Sequence, residues 1–213
     1  MKNTETAIKQ LEALKKLSGK PMRLAAEGWH EEWQTLLAII MSARTRDETT
    51  IIVGEKLFAK YPTIAALASA RAADVAEVIR PVNFYQNKTK NIIGAARTLI
   101  ESFSGGVPHD IEKLVTIPGV GRKTANVFLA EFGHDSIGVD THVSYISQKL
   151  GWTGHKDPAK IEKDLEALFP QKYWRTVNST CVRFGKSHTS RREKNALLDE
   201  IKFDTLKAES VPV

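Results

Sequence analysis

The sequence predicts an all-α protein. Apolar residues recur at helical spacing through most of the chain, Pro and Gly punctuate the ends of those segments, and no alternation of useful length marks a strand. The first helix spans 5–17, with Ile8, Leu11 and Leu14 on one side, and ends at Ser18-Gly19. Glu31 to Met41 carries Trp33, Leu36, Leu37 and Ile40. Asp47 to Lys60 places Ile51, Ile52 and Leu57 on its apolar side and stops before Pro62, because proline excludes the helical conformation of the residue before it. A short helix at Thr63 to Ala70 and another at Ala72 to Ile79 follow, the second stopping before Pro81. Tyr85 to Phe103 is long, with Ile92, Ile93, Ala96 and Leu99, and closes at Gly105-Gly106. Asp110 to Val115 leads into a glycine turn, and Arg122 to Phe132 follows it without Pro or Gly. A helix begins near Thr141. Asp157-Pro158 is an N-cap and first-turn pair opening a helix to Leu168. Tyr173 to Phe184 precedes Gly185, and Asn195 to Phe203 sets Leu197, Leu198 and Ile201 on one side.

The turn is the most informative stretch. Ile-Pro-Gly-Val-Gly-Arg-Lys-Thr-Ala occupies 117–125. Pro118 ends the preceding helix. Gly119 and Gly121 permit positive φ and leave no Cβ between backbone and an approaching ligand. The first amides of the following helix have no partner within it and point at the turn. Free N–H groups and the helix dipole both favour an anion there, so a phosphate fits. Such a contact positions a duplex and reads no bases.

Lys123 sits in that first turn. The positive end of its own helix, the neighbouring Arg122 charge and partial burial each favour a free amine, the form a Schiff-base nucleophile requires. Val-Asp-Thr-His follows at 139–142. Asp140 has two readings open to it: a cap on the helix that begins near Thr141, or a carboxylate that stabilises a cationic sugar and helps deprotonate the amine.

Length and composition are compatible with a partner of opposite charge. The chain has 213 residues, 31 Lys plus Arg against 25 acids, a net charge of +6, and 42% hydrophobic residues. Its pI of about 9.3 suits a polyanion without identifying one. A lone cysteine excludes an intramolecular disulfide framework. No apolar run approaches the roughly 20 residues that cross a bilayer, and the N-terminal Met-Lys-Asn-Thr-Glu-Thr has no secretory apolar region. A cytoplasmic protein is the default expectation. Lys186, Arg191, Arg192 and Lys194 form a basic cluster around His188; Arg44, Arg46, Lys88 and Lys90 are further basic candidates for phosphate contact.

The chain resembles the helix-hairpin-helix DNA glycosylases, most closely their endonuclease III branch. The residues that carry the resemblance are Met-Ser-Ala-Arg-Thr-Arg-Asp at 41–47, Asn-Phe-Tyr-Gln-Asn-Lys at 83–88, the glycine turn, and Val-Asp-Thr-His. The resemblance implies two helical subdomains with a helix-hairpin-helix motif and a DNA-binding cleft between them. Their expected limits are 26–137 for the first, and 1–25 folding back beside 138–213 for the second. It implies that Lys123 attacks C1′ of a flipped, damaged nucleotide, that Asp140 is the essential acid, and that the strand is then cleaved by β-elimination. Arg44 falls where endonuclease III has a glutamine that fills the hole left by the extruded base. Phe84 falls where the family uses an apolar wedge; a core aromatic is its other reading. Gly119, Gly121, Arg122, Thr124, Lys186, Arg191 and Arg192 complete the expected DNA contacts. The hairpin carbonyls of Val115, Ile117 and Val120 are expected to offer a site for a monovalent cation.

One departure from the family stands out. Many endonuclease III relatives end with Cys-x6-Cys-x2-Cys-x5-Cys around a [4Fe–4S] cluster. Aligned on Phe-Gly-Lys-Ser at 184–187, those positions here are His188, Asn195, Leu198 and Asp204, and the single thiol, Cys181, lies outside the pattern. No cluster and no metal are therefore expected, with apolar packing of the last helix in their place. The function expected is excision of damaged, oxidised bases from duplex DNA with AP lyase activity, by a monomer associated with the nucleoid. The alternatives are a catalytically silent binder of distorted or abasic DNA, and a monofunctional glycosylase for another lesion.

Overall fold

A computed structural model describes residues 3–19 and 22–209; Met1 and Lys2, which open the N-terminal string, lie outside the described residues. Every regular element among the described residues is helical. The helices are α1 (Thr4–Leu17), α2 (Glu32–Ser42), α3 (Asp47–Lys60), α4 (Ile64–Ala68), α5 (Ala72–Val78), α6 (Tyr85–Phe103), α7 (Ile111–Leu114), α8 (Arg122–Glu131), α9 (Thr141–Leu150), α10 (Pro158–Leu168), α11 (Trp174–Ser187) and α12 (Arg191–Glu209). Local chemistry sets many of the starts. Asn3, Thr63, Asp110, Asp140 and Asp157 each accept a first-turn amide through the side chain. Glu31 and Gln34 form a reciprocal capping box at α2.

The chain divides into two compact units, Arg23–Phe132, and Met1–Met22 together with Gly133–Val213. The first has a core of Trp33, Leu36, Leu37, Leu57, Ile92, Leu114 and Phe128, among others, and Ile117 and Val120 of the glycine turn belong to it. The second is built from α1, α9, α10, α11 and α12 around Leu11, Leu14, Ile146, Trp152, Leu165, Phe184 and Leu198. Here the buried Gln10 on α1 donates to Thr205 Oγ1 on α12 and accepts from Trp152 Nε1. One amide thus satisfies two buried partners.

Three expectations need correction. Ile52 is 54% exposed, because the buried side of α3 runs through Thr50, Val53, Gly54, Leu57 and Phe58. Gly54 in that stripe makes room for an aromatic ring: a Cβ there would lie 2.7 Å from Trp29 Cη2. Gly185 does not end α11, which continues to Ser187. It admits the His142 ring, since a Cβ there would stand 2.1 Å from His142 Nδ1. The last helix also extends well beyond 195–203 at both ends.

Candidate active site and nucleic-acid interface

The Arg23–Phe132 unit holds the glycine turn. Asp110 caps α7, and successive turn bonds from Thr116 N to Lys113 O, Ile117 N to Leu114 O and Val120 N to Ile117 O carry the chain to α8. Buried Ile117 and Val120 anchor the turn from below. Helix α6 supports it from the side. A Cβ on Gly119 would lie 2.8 Å from Asn91 Cβ, and one on Gly94 would lie 3.2 Å from Pro118. Gly119 has φ of +83°, which an L side chain rarely adopts. Gly121 is different: its φ is −94°, it is the N-cap of α8, and nothing lies within 4 Å of a Cβ built there. Of the two freedoms a glycine offers, Gly121 does not use positive φ. The open space above its backbone is what a glycine preserves.

Lys123 is half-buried in the first turn of α8, with exposed Arg122 before it. No side chain caps α8. Thr124 is 9% exposed, so its side chain belongs to the interior and only its main chain is available to a phosphate.

Arg44 and Phe84 meet in this unit. Both are non-glycine residues in the left-handed region, with φ of 57° and 59°, and both are exposed. The Arg44 guanidinium carbon sits 4.8 Å from the Phe84 ring centroid. Phe84 is 54% exposed, so the core reading fails and the surface one stands. Asn83 ties the two segments: its main-chain N–H donates to Thr45 Oγ1 at 3.2 Å and its side-chain amide donates to the Arg44 carbonyl.

Lys88 does not face solvent. It is 6% exposed, and its ammonium donates to the carbonyls of Met41 and Ala43, each at 2.6 Å, and to Thr45 Oγ1 at 3.1 Å. Burial brings it down to about 8. The reading of Lys88 as a phosphate contact is therefore replaced by an internal one, whereas Lys90 is exposed.

In the second unit, Asp140 is half-buried and caps α9, its Oδ1 accepting from Val143 N at 2.9 Å. Burial first, and the Asp140 carboxylate second, push the Cys181 thiol far up, so this cysteine is an inert core residue. Lys186 is half-buried near the end of α11; Arg191 and Arg192 are exposed at the start of α12. Arg191 and Lys194 lie over the Tyr145 ring, at 5.7 and 6.0 Å from its centroid.

Comparison with known proteins decides the family. Residues 37–171 match the model of the HhH-GPD superfamily base excision DNA repair proteins. The chain belongs to this superfamily. Within it the likeness is to endonuclease III. The chain is 43% identical over 162 residues to endonuclease III of Synechocystis sp., covering 75% of this chain and 74% of that one. It is 38% identical over 157 residues to endonuclease III of Thermotoga maritima, covering 73% and 74%. A non-covalent endonuclease III–DNA complex superposes with a TM-score of 0.84 at 28% identity, over 99% of this chain and all 100% of the other. A trapped endonuclease III–DNA covalent intermediate superposes with a TM-score of 0.81 at 30% identity, over 90% of each.

The iron–sulfur cluster of many endonuclease III relatives does not fit this HhH-GPD chain. At the four aligned positions His188 is bound through Nε2 to the Leu17 carbonyl and through Nδ1 to Glu193, each at 2.8 Å. Asn195 accepts from the Tyr145 hydroxyl, Leu198 is 1% exposed in the core, and Asp204 is exposed. None is a thiolate. Among the described residues no group of three or more His, Cys, Asp or Glu is arranged to hold a metal ion. Among them too, no helix is long and apolar enough to cross a membrane.

Sequence reasoning missed Asn83, Asn91 and the inward course of Lys88. The available signal was the helical spacing, since 88 and 91, and 91 and 94, are neighbours one turn apart on α6.

Proposed function

We propose that this endonuclease III-like protein is a bifunctional DNA glycosylase and AP lyase, working as a cytoplasmic, nucleoid-associated monomer on oxidised bases and abasic sites in duplex DNA. The observation that carries the reading is Lys123, an amine in the uncapped first turn of α8 directly behind an open glycine turn. The 30%-identical relative trapped covalently on DNA supports it.

The chemistry follows from those groups. The amides of the first turn and the bare Gly121 backbone receive a phosphate. The lone pair of Lys123 Nζ forms a bond to C1′ as the bond from C1′ to the base breaks, and the base leaves with that electron pair and takes up a proton. The carboxylate of Asp140 stabilises the cationic sugar and accepts the amine's proton. Sugar opening gives an iminium; loss of a C2′ proton then expels the 3′ phosphate and cuts the strand. Arg44 and Phe84 occupy the space the flipped nucleotide leaves. Gly119, Arg122, Lys186, Arg191 and Arg192 contribute backbone and charge. The Ile117 carbonyl accepts from Val120 N–H at 3.0 Å and keeps one lone pair, which together with the carbonyls of Val115 and Val120 suits a monovalent cation.

Borohydride reduction on an abasic duplex tests this. The expected result is a covalent adduct that vanishes in Lys123→Gln while duplex binding remains. Binding by the unmutated protein without any adduct overturns the enzymatic reading in favour of a silent DNA binder. Cleavage across duplexes bearing thymine glycol, dihydrouracil, uracil and 8-oxoguanine tests the lesion class, and excision of uracil alone would overturn it.

A further inference from the structure

Beneath the exposed Arg44–Phe84 pair lies a buried polar knot with no part in the chemistry above. Left-handed backbone at a non-glycine residue costs on the order of 1–3 kcal/mol and persists only where surrounding structure holds it. Here two such residues are exposed, adjacent and stacked. The structure that holds them is Lys88, which reaches to the Met41 carbonyl at the end of α2, to the Ala43 carbonyl just past it and to Thr45.

We infer that Lys88 is a positioning residue for duplex recognition: it locks the 41–45 turn to the start of α6 so that Arg44 and Phe84 meet DNA as one preassembled wedge. This rests on the functional reading just given. Three observations argue for it. The ammonium has three donors and finds three oxygens, all on the 41–45 segment. Its own helix turn carries Phe84, since Lys88 N donates to the Phe84 carbonyl at 3.1 Å. Asn91 and Gly94, one and two turns further along α6, abut Gly119 and Pro118, so a single helix holds both the wedge and the glycine turn. Prearranged side chains spend no ordering entropy on binding, and misplacing them by 1 Å costs roughly a hundredfold in rate. An aliphatic residue in place of Lys88 takes the donor from the buried Met41 carbonyl and the part-buried Ala43 carbonyl, so the turn relaxes outward.

The test compares substrates that need a wedge with one that does not. Lys88→Met keeps the bulk and removes the donors. On an abasic duplex its borohydride-trapping rate falls roughly ten- to a hundredfold. On a single-stranded abasic oligonucleotide, which has no stack to fill, it stays within about twofold of the unmutated protein, a ratio that general destabilisation would not produce. Equal losses on both substrates, or no loss on the duplex, overturn the inference. A binding readout separates it from the functional reading. 2-Aminopurine opposite a tetrahydrofuran site reports occupation of the gap without any chemistry. At saturating protein the unmutated chain changes its fluorescence, and Lys88→Met gives less than half that change; an equal change overturns the inference. If neither strand forms an adduct with the unmutated protein, the glycosylase reading falls, and the fluorescence comparison still decides the role of Lys88. If Lys88→Met does not fold, Asn83→Ala cuts the second tie between the same segments without emptying a buried site, and the same ratios are expected in weaker form.

Discussion

Asn91 occupies the space that a side chain at residue 119 would need. A Cβ on Gly119 would lie 2.8 Å from Asn91 Cβ, and φ there is +83°. Gly119→Ala therefore meets both a clash and a strained backbone, and loses about 1–3 kcal/mol in urea denaturation. Gly121→Ala meets neither, since its φ is −94° and the space around it is open. Its stability should stay within about 0.5 kcal/mol of the parent while duplex affinity drops, because the new methyl stands where a phosphate approaches. Equal stability losses in the two variants would contradict this division of roles.

Asp140 separates in the same way. Its carboxylate caps α9 through Val143 N, so Asp140→Ala loses the cap and about 1 kcal/mol. Asp140→Asn keeps an acceptor oxygen at that amide and should melt with the parent. Excision of a damaged base should nonetheless fall at least about a hundredfold in Asp140→Asn. Undiminished excision by this variant would reduce Asp140 to a cap.

Those contrasts show what could be read in the chain and what could not. Caps are local, so Asp157-Pro158 at the start of α10 and the turn ahead of α8 were legible from neighbouring residues alone. The helical class was legible from period and punctuation. Close approach was not. Gly185 reads as a helix end, yet it lies inside α11 because the His142 ring, from a distant stretch of sequence, presses on it. Lys88 reads as a phosphate contact because nothing in its own segment announces three oxygen acceptors from residues 41–45. Phe84 had two readings, and only its exposure, which neighbouring residues do not dictate, removes the core one.

Lys88 also gives a pH signature. Burial holds it at about 8 against an ordinary 10.5. Below pH 8 folded and unfolded chains both carry the proton, and the full burial penalty opposes folding. Between 8 and 10.5 the unfolded chain keeps the proton while the folded one releases it, so stability rises with pH. Relative to Lys88→Met, the parent should gain about 1.4 kcal/mol per pH unit across that window. Urea denaturation of both proteins at several pH values would reveal it, and parallel profiles would show that Lys88 does not titrate there.

The last helix is joined to the rest of its unit by packing and by hydrogen bonds at both ends. Leu198 and Ile201 are 1% and 5% exposed, Gln10 bonds Thr205, and His188 joins the end of α1 to the first turn of α12 through Leu17 and Glu193. Leu198→Ala should cost about 2–5 kcal/mol because it removes a buried side chain from a filled core. His188→Ala should cost less, about 1 kcal/mol, since its bonds lie near the surface. An iron or zinc chelator should leave the Tm unchanged in all three proteins, as no thiolate is available at the aligned positions. Thermal unfolding with and without chelator checks both halves. A chelator-dependent fall in Tm would mean that a metal, rather than Leu198 and its neighbours, secures α12 against α1 and α9.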